Sequence, residues 1–162
     1  MHSLEILEVD PQCADALSLL REAAIEARSL YPDPIPADAP WPKNAPTLES
    51  GVYLVAYVNA LPVACGALRP IDKRTVEVRR MFVTRTRRRG GLARSVLTAL
   101  EARARQFGYA VMKLETGDRQ SPAMALYTSC GFTRIPPFDE YENDPTSVCF
   151  EKPVAGAEMG GA

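Results

Sequence analysis

Histidine is almost missing from this chain: the single one, His2, directly follows Met1, where chain ends ordinarily fray. A histidine general base and a histidine-ligated metal are therefore excluded, and with them the Ser/His/Asp and Cys/His relays. Cysteine is sparse as well. Cys13, Cys65, Cys130 and Cys149 are scattered and form no CxxC pair, so neither a zinc site nor a small disulfide scaffold is expected, and all four read as buried, reduced thiols. No apolar run approaches the roughly 20 residues that cross a bilayer. The opening MHSLEILEVD has no basic flank leading into an apolar core, so the expectation is a cytoplasmic protein without a membrane partner. Charge of one sign is not in excess either: 19 basic residues against 20 acidic ones leave a net −1, too little to draw the whole molecule toward nucleic acid.

What remains is a chain of 162 residues, 46% hydrophobic and 24% charged, enough for one packed domain. That domain is expected over residues 1–153, with a disordered tail over 154–162, VAGAEMGGA. Leu4, Ile6 and Val9 mark a first strand, and Asp10 and Pro11 are expected to open a helix carrying Ala16, Leu17, Leu20, Ala24 and Ala27. Tyr31 to Pro46, YPDPIPADAPWPKNAP, has too many prolines for a helix or central strand. GVYLVAYVN and PVACGALRP read as an antiparallel hairpin turning around Asn59 to Pro62. TVEVRRMFV adds a third strand with a flaw. Val76 and Val78 share one parity, Met81 and Val83 the other, so a bulge is expected at Arg79 and Arg80.

A helix follows, with Leu92, Val96, Leu97, Leu100, Ala104 and Phe107 on one stripe and Gly108 as its stop. YAVMKLET is a strand. Ser121 is expected to cap a further helix with Pro122 at its start, Tyr127 and Cys130 on its apolar face and Gly131 beyond its end. Two last strands, near Phe132 to Ile135 and Ser147 to Lys152, flank the loop PPFDEYENDPT. The sum is an α/β fold: a mixed, mostly antiparallel sheet with a βαβ unit, a splayed central strand pair and helices on both faces.

The stretch RTRRRGGLARSV, from Arg85 to Val96, ends the bulged strand and begins a helix. Amide donors at a helix start, beside glycines that admit close approach, suit a phosphate or pyrophosphate, and Arg87, Arg88, Arg89 and Arg94 can neutralise it. A solvated basic face is the plainer alternative. An RNA-binding RGG segment is disfavoured because the pattern occurs once, runs into a regular helix and lacks stacking aromatics. GxxxxGK[ST] and GxGxxG are both absent.

Arg88, two residues, Gly91, one residue and Ala93 resemble the R/Q-x-x-G-x-G/A signature of the GNAT superfamily of acetyl-CoA-dependent N-acyltransferases. Gln120, Ala123, Leu126, Tyr127, Gly131 and Phe132 resemble that superfamily's N-x-x-A-x-x-L-Y-x-x-x-G-F pattern. Arg85 stands where the family often has proline, Arg89 and Gly90 where glycine and then a variable residue are common, and Gln120 replaces a frequent asparagine. The resemblance covers most of residues 3 to 153 and implies the GNAT fold.

It also implies roles. Backbone groups of Met81, Phe82 and Val83 would pair with pantetheine as an added strand would. Arg88, Arg89, Gly90, Gly91, Leu92, Ala93 and Arg94, with Gln120, would hold the rest of acetyl-CoA. Tyr127 would protonate the departing thiolate, against the plainer reading of a packed core aromatic. Glu77, just before the bulge, would accept the amine's proton directly or through water, or else be an ordinary strand carboxylate paired with an arginine. Glu115 is a lesser candidate for that task or for holding a cationic substrate, and Tyr141, in the acidic loop with Asp139, Glu140, Glu142 and Asp144, borders the acceptor side. Tyr31 and Trp41 are candidates for the opposing wall. Cys130 reads as a packing residue, with no base to activate it.

The implied function is acetyl transfer from acetyl-CoA to a primary amine, a small molecule by preference, through direct attack and without a metal. A longer acyl-CoA, a protein or peptide amine, or a non-catalytic acetyl-CoA sensor are the alternatives. No nucleic-acid partner is expected, and a homodimer is left open.

Overall fold

Alternating apolar residues in the middle of the chain sort themselves onto two sides of one sheet. The computed structural model describes residues 3–30, 36, 38–154 and 156; His2, Tyr31 and most of the expected tail lie outside the described residues. In chain order the elements are β1 (Leu4–Glu8), α1 (Ala14–Leu30), β2 (Val52–Val58), β3 (Leu61–Pro70), β4 (Thr75–Val83), α2 (Leu92–Phe107), β5 (Val111–Gly117), α3 (Ser121–Ser129), β6 (Thr133–Ile135) and β7 (Ser147–Pro153), with single 3-10 turns at Arg85–Arg87 and Asp139–Tyr141. The seven strands lie in the order β1-β2-β3-β4-β5-β7-β6. Every neighbouring pair is antiparallel except β4 and β5, which are parallel and joined by α2. A parallel pair needs such a crossover.

The back of the sheet is the larger core. Val52, Leu54, Val76, Val78, Met112 and Leu114 point there and meet Val96, Leu97, Leu100 and Ala104 of α2. Burying each aliphatic side chain of this kind contributes about 1.5–3 kcal/mol. Gly66 sits in the same layer because nothing larger fits: an added Cβ would fall 2.7 Å from the Met81 sulfur, 2.8 Å from Val96 and 2.9 Å from Leu100. The front holds a smaller cluster, in which Ala16 and Leu19 of α1 cover Tyr53, Val55, Cys65 and Ala67.

The bulge falls where the parity slip placed it. Cys65 pairs with Phe82 and Ala67 with Arg79, so the single residue Gly66 faces both Arg80 and Met81. Arg80 takes up the extra length at φ 60°, a left-handed conformation uncommon for a side chain of its size. Its effect is to return Met81 and Val83 to the same back cluster as Val76 and Val78, and to turn Phe82 to the front.

Three local expectations shift. Helix α1 begins at Ala14, because Asp10 first closes a turn, its carboxylate accepting from the Gln12 amide at 2.8 Å and its carbonyl from the Cys13 amide at 3.0 Å. Gln120, rather than Ser121, is the capping residue of α3, since its carbonyl already accepts from the Met124 amide at 3.1 Å, and no side chain caps that end. Val154 extends the packed chain past β7, 3% exposed, with its amide on the Ala110 carbonyl at 2.8 Å. All four cysteines are free, but only Cys65 and Cys149 are buried, while Cys13 and Cys130 are half-buried.

Candidate active site

The parallel pairing of β4 with β5 stops at Val78 and Leu114. Beyond it each strand keeps its outer partner: β4 runs on beside β3 to Val83, and β5 beside β7 to Gly117. The inner edges are left apart, and the backbone of Met81, Phe82 and Val83 borders the opening. This is a sheet edge inside the molecule, with main-chain groups available to an extended ligand. Among the described residues, no helix is long and apolar enough to cross a membrane, and no cluster of three or more His, Cys, Asp or Glu is arranged to hold a metal.

At the far end of β4 the chain turns through Arg85–Arg87, Arg88, Arg89, Gly90 and Gly91 into α2. Gly91 caps the helix at φ 80°, and the first i to i−4 bond is from the Ser95 amide to the Gly91 carbonyl, so the amides of Leu92, Ala93 and Arg94 precede the helical ladder. A Cβ on Gly91 would meet nothing within 4 Å, so the space over this bend is open and its φ alone favours glycine. Arg89 also lies in the left-handed region, at φ 66°, while Gly90 does not. The chain thus places a side chain where the backbone favours glycine and a glycine where none is required.

The arginines divide. Arg88 folds back to brace the turn, with Nε donating to the Val83 carbonyl at 3.0 Å and Nη2 to Glu26 of α1 at 2.7 Å. Arg94 reaches across to α3, its Nη2 donating to Ser129 at 2.9 Å and its Nη1 to the Cys130 sulfur at 3.3 Å. Arg89 is exposed.

In front of the opening, alternation places Glu77 of β4 and Glu115 of β5 on the same side, opposite the apolar Val76, Val78 and Leu114. Glu77 is 5% exposed. The Tyr141 hydroxyl donates to its Oε2 at 2.5 Å, and Arg79 lies 3.8 Å from its Oε1. Burial raises the Glu77 pKa above the ordinary glutamate value, and the Tyr141 bond and Arg79 only partly offset that. Glu115 accepts from Ser147 Oγ at 2.6 Å and is likewise raised, by burial first and then by the nearby Asp144 and Glu77 charges. Tyr141 is held protonated, its pKa raised by burial and by its carboxylate acceptor.

Tyr127 lies behind the sheet. Helix α3 packs its ring edge-on against Phe132, centroids 5.8 Å apart, and beside Phe150 at 6.1 Å. It is 6% exposed, and burial raises its pKa, so the phenol stays protonated at neutral pH. The result is a protonated phenol behind the splayed strands and a buried carboxylate in front of them.

Comparison with known proteins gives the chain a family. The model of the Acetyltransferase (GNAT) family matches residues 15–132. The chain is a member of the GNAT acetyltransferases. A solved structure from Klebsiella pneumoniae, assigned as an acyl-CoA N-acyltransferase, superposes with a TM-score of 0.76 at 30% identity, covering 95% of this chain and 98% of that one. A GNAT acetyltransferase of Elizabethkingia anophelis with acetyl-CoA bound shares the fold at a TM-score of 0.66 and 18% identity, covering 93% of this chain and 97% of that one. The IAA acetyltransferase of Azospirillum brasilense is 41% identical over 104 residues, which are 63% of this chain and 67% of that protein. An N-acetyltransferase of Bacillus subtilis, YsnE, is 40% identical over 90 residues, 54% of this chain and 60% of its own length. The match thus spans about two thirds or less of these curated relatives.

Within this GNAT domain the described part of the proline-rich loop packs on α1. Trp41 lies against two cations of α1, the Arg28 guanidinium carbon 3.6 Å from its ring centroid and that of Arg21 at 3.8 Å. Such contacts are worth roughly 0.5–1 kcal/mol each at exposed sites. Further along, Asn44 is buried, its Nδ2 donating to the Pro11 carbonyl at 2.8 Å and its carbonyl accepting from Gln12 Nε2 at 3.0 Å. The bulge residue is tied to the same loop: Arg80 Nε donates to Asn44 Oδ1 at 2.9 Å and Nη2 to the Lys43 carbonyl at 3.2 Å, while the Arg80 carbonyl accepts from Cys65 Sγ at 3.1 Å. Arg80, Asn44 and Tyr53 did not stand out in the sequence. The signal that was present is the parity slip, which located Arg80 without showing where its side chain goes.

Proposed function

We propose that this chain transfers an acetyl group from acetyl-CoA to a primary amine of a small molecule, by direct attack while both are bound. The opening between β4 and β5 carries this reading, because it joins an unpaired strand edge to the amides of Leu92, Ala93 and Arg94, which precede the helical ladder, at one bend. The edge fits an extended chain with amide groups, and the bend with its open space over Gly91 fits a diphosphate. Met81, Phe82 and Val83 would hold the first. Gly90, Gly91, Leu92, Ala93 and Arg94 would hold the second, with Arg89 and Gln120 beside them and Arg88 bracing the turn.

In the reaction the amine nitrogen forms a bond to the thioester carbonyl carbon, the carbon–sulfur bond breaks, and the amine's proton must leave. Glu77 is suited to take it. A carboxylate whose pKa burial raises above the ordinary glutamate value is, when ionised, a stronger base than an exposed one. Tyr127, protonated and on the other side of the strands, is suited to give a proton to the departing thiolate. The acidic surroundings of Glu115, Glu140 and Asp144 favour a cationic acceptor. Proximity of two bound reactants supplies much of the rate, so no covalent acyl-enzyme is required.

The test couples two measurements: the melting temperature with and without acetyl-CoA, and CoA release across a panel of amines, amino acids and peptides. A rise in melting temperature with release on small amines supports the proposal. A rise without release on any member would identify a binding module instead. Preference for peptides would move the acceptor class.

A further inference from the structure

The wall formed by Trp41 to Asn44 does more than close the front of the molecule. Between it, α1 and the bulge lies a cavity of about 230 Å³, lined on the apolar side by Leu20, Ala23, Ala24, Pro42, Met81 and Phe82. Two polar groups share this lining. The Tyr53 hydroxyl is buried, in a residue only 4% exposed; Asn44 and Cys65 lie close enough to interact with it, but neither is aligned as a full hydrogen-bond partner. A buried hydroxyl left unpaired costs about 1–3 kcal/mol, and native proteins carry few of them.

The second group is Arg80. Its guanidinium is engaged by two neutral oxygens, Asn44 Oδ1 and the Lys43 carbonyl, and among the described residues no carboxylate comes within 4 Å of it. Its charged neighbour is another cation, Arg79. A half-buried cation without a counter-ion is costly. A cavity of this kind therefore lacks two things, an acceptor for the tyrosine hydroxyl and an anion for the arginine. A carboxylate supplies both.

Resting on the acetyl-transfer reading above, we propose that the acceptor is a zwitterion of the amino-acid type with an apolar side chain. Arg80 and Tyr53 hold its carboxylate, the apolar lining takes its side chain, and its amine faces Glu77. The arrangement of the charges fits. Arg79, adjacent to Arg80 on the strand, lies 3.8 Å from Glu77, and Tyr141 donates to that same carboxylate. The anion site and the proton acceptor thus adjoin along one strand, as the carboxylate and amine of one small molecule do. The volume, below the roughly 300–1,000 Å³ typical of sites for drug-sized ligands, suits such a molecule.

The experiment measures kcat/KM for CoA release on matched trios built on leucine, methionine and phenylalanine: the free amino acid, its primary amide and its decarboxylated amine. The amino acid is expected to exceed the other two by about 10- to 100-fold in at least one trio, the range for charge-assisted hydrogen bonds. Arg80→Met should erase that preference, bringing the acid-to-amine ratio to about one, and Tyr53→Phe should reduce it several-fold. Each ratio is taken within one variant, so partial misfolding, which lowers all three substrates alike, does not imitate the effect. Equal rates across every trio, or an acid-to-amine ratio that Arg80→Met leaves at its wild-type value, would overturn the carboxylate site. Should acetyl-CoA stabilise the protein while no amino acid is acetylated, the zwitterion falls and the acetyl-CoA site stands. Absence of any acetyl-CoA stabilisation sinks the underlying reading instead.

Discussion

Behind the sheet, 21 buried residues from the central strands, α2 and α3 form one continuous apolar cluster. In front, six from α1, β2 and β3 form another, and beside it stand Glu77, Glu115, Tyr141 and Arg80. The two faces share the same strands, so the contrast comes from alternation alone: Val76 and Val78 face back while Glu77, between them, faces front. Stability is concentrated on one side and costly ionisable groups on the other. The bulge at Arg80 is what lets a single strand serve both.

If that division is sound, substitutions should separate by face, and Tyr127 would be the exception, the proposed proton donor housed in the stable half. Tyr127→Phe is expected to lower kcat about 10²- to 10⁴-fold, the usual worth of a general acid, while its melting temperature stays within a few degrees of the parent. A variant that retains full turnover would return Tyr127 to the role of packing aromatic. Leu100→Ala, deep in the same half and fully buried, should cost about 2–5 kcal/mol in denaturant unfolding with kcat per folded molecule unchanged.

Glu77→Gln tests the front. Since burial raises the pKa of Glu77 in the fold, the ionised form is the active one, and wild-type kcat/KM should fall on acidification through a value above the ordinary carboxylate range. The variant should lose that limb and about one order of magnitude of plateau rate. The same shift fixes the sign for stability. A carboxyl whose folded pKa exceeds its unfolded one favours the fold at low pH, and that contribution is lost as pH rises through the folded value. Well above the folded pKa of Glu77 the Gln variant should therefore melt above wild type, with the gap closing as pH falls through that pKa. An unchanged gap would mean that Glu77 is not strained by burial. The smallest effect belongs to the turn: Arg89→Gly removes a side chain from φ 66° and should change stability by no more than about 1 kcal/mol, in the stabilising direction, read from the same unfolding curves.

Much of this was legible in the sequence because it is local. The parity slip between Val78 and Met81 places the bulge, the stripe from Leu92 to Ala104 gives α2, and Gly108 ends it at φ 89°. Where short-range hydrogen bonds compete, the boundary moves: Asp10 closes a turn before α1, and the Gln120 carbonyl begins α3 one residue early. The grouping of Arg80, Asn44 and Tyr53 was not legible for a different reason. Arg80 and Asn44 meet across 36 positions, and Tyr53 joins them from another strand. No spacing in the chain encodes that meeting; it exists only after β2, β4 and the loop ahead of β2 have packed.

The loop that walls the front cavity also brings an optical reporter with it. Trp41 is the sole tryptophan of the chain and lies within 4 Å of two guanidinium groups, so its emission tracks whether that wall rests on α1 or lifts away. Entry of the proposed amino acid would then be expected to change that emission in real time on unlabelled protein, without chemistry taking place.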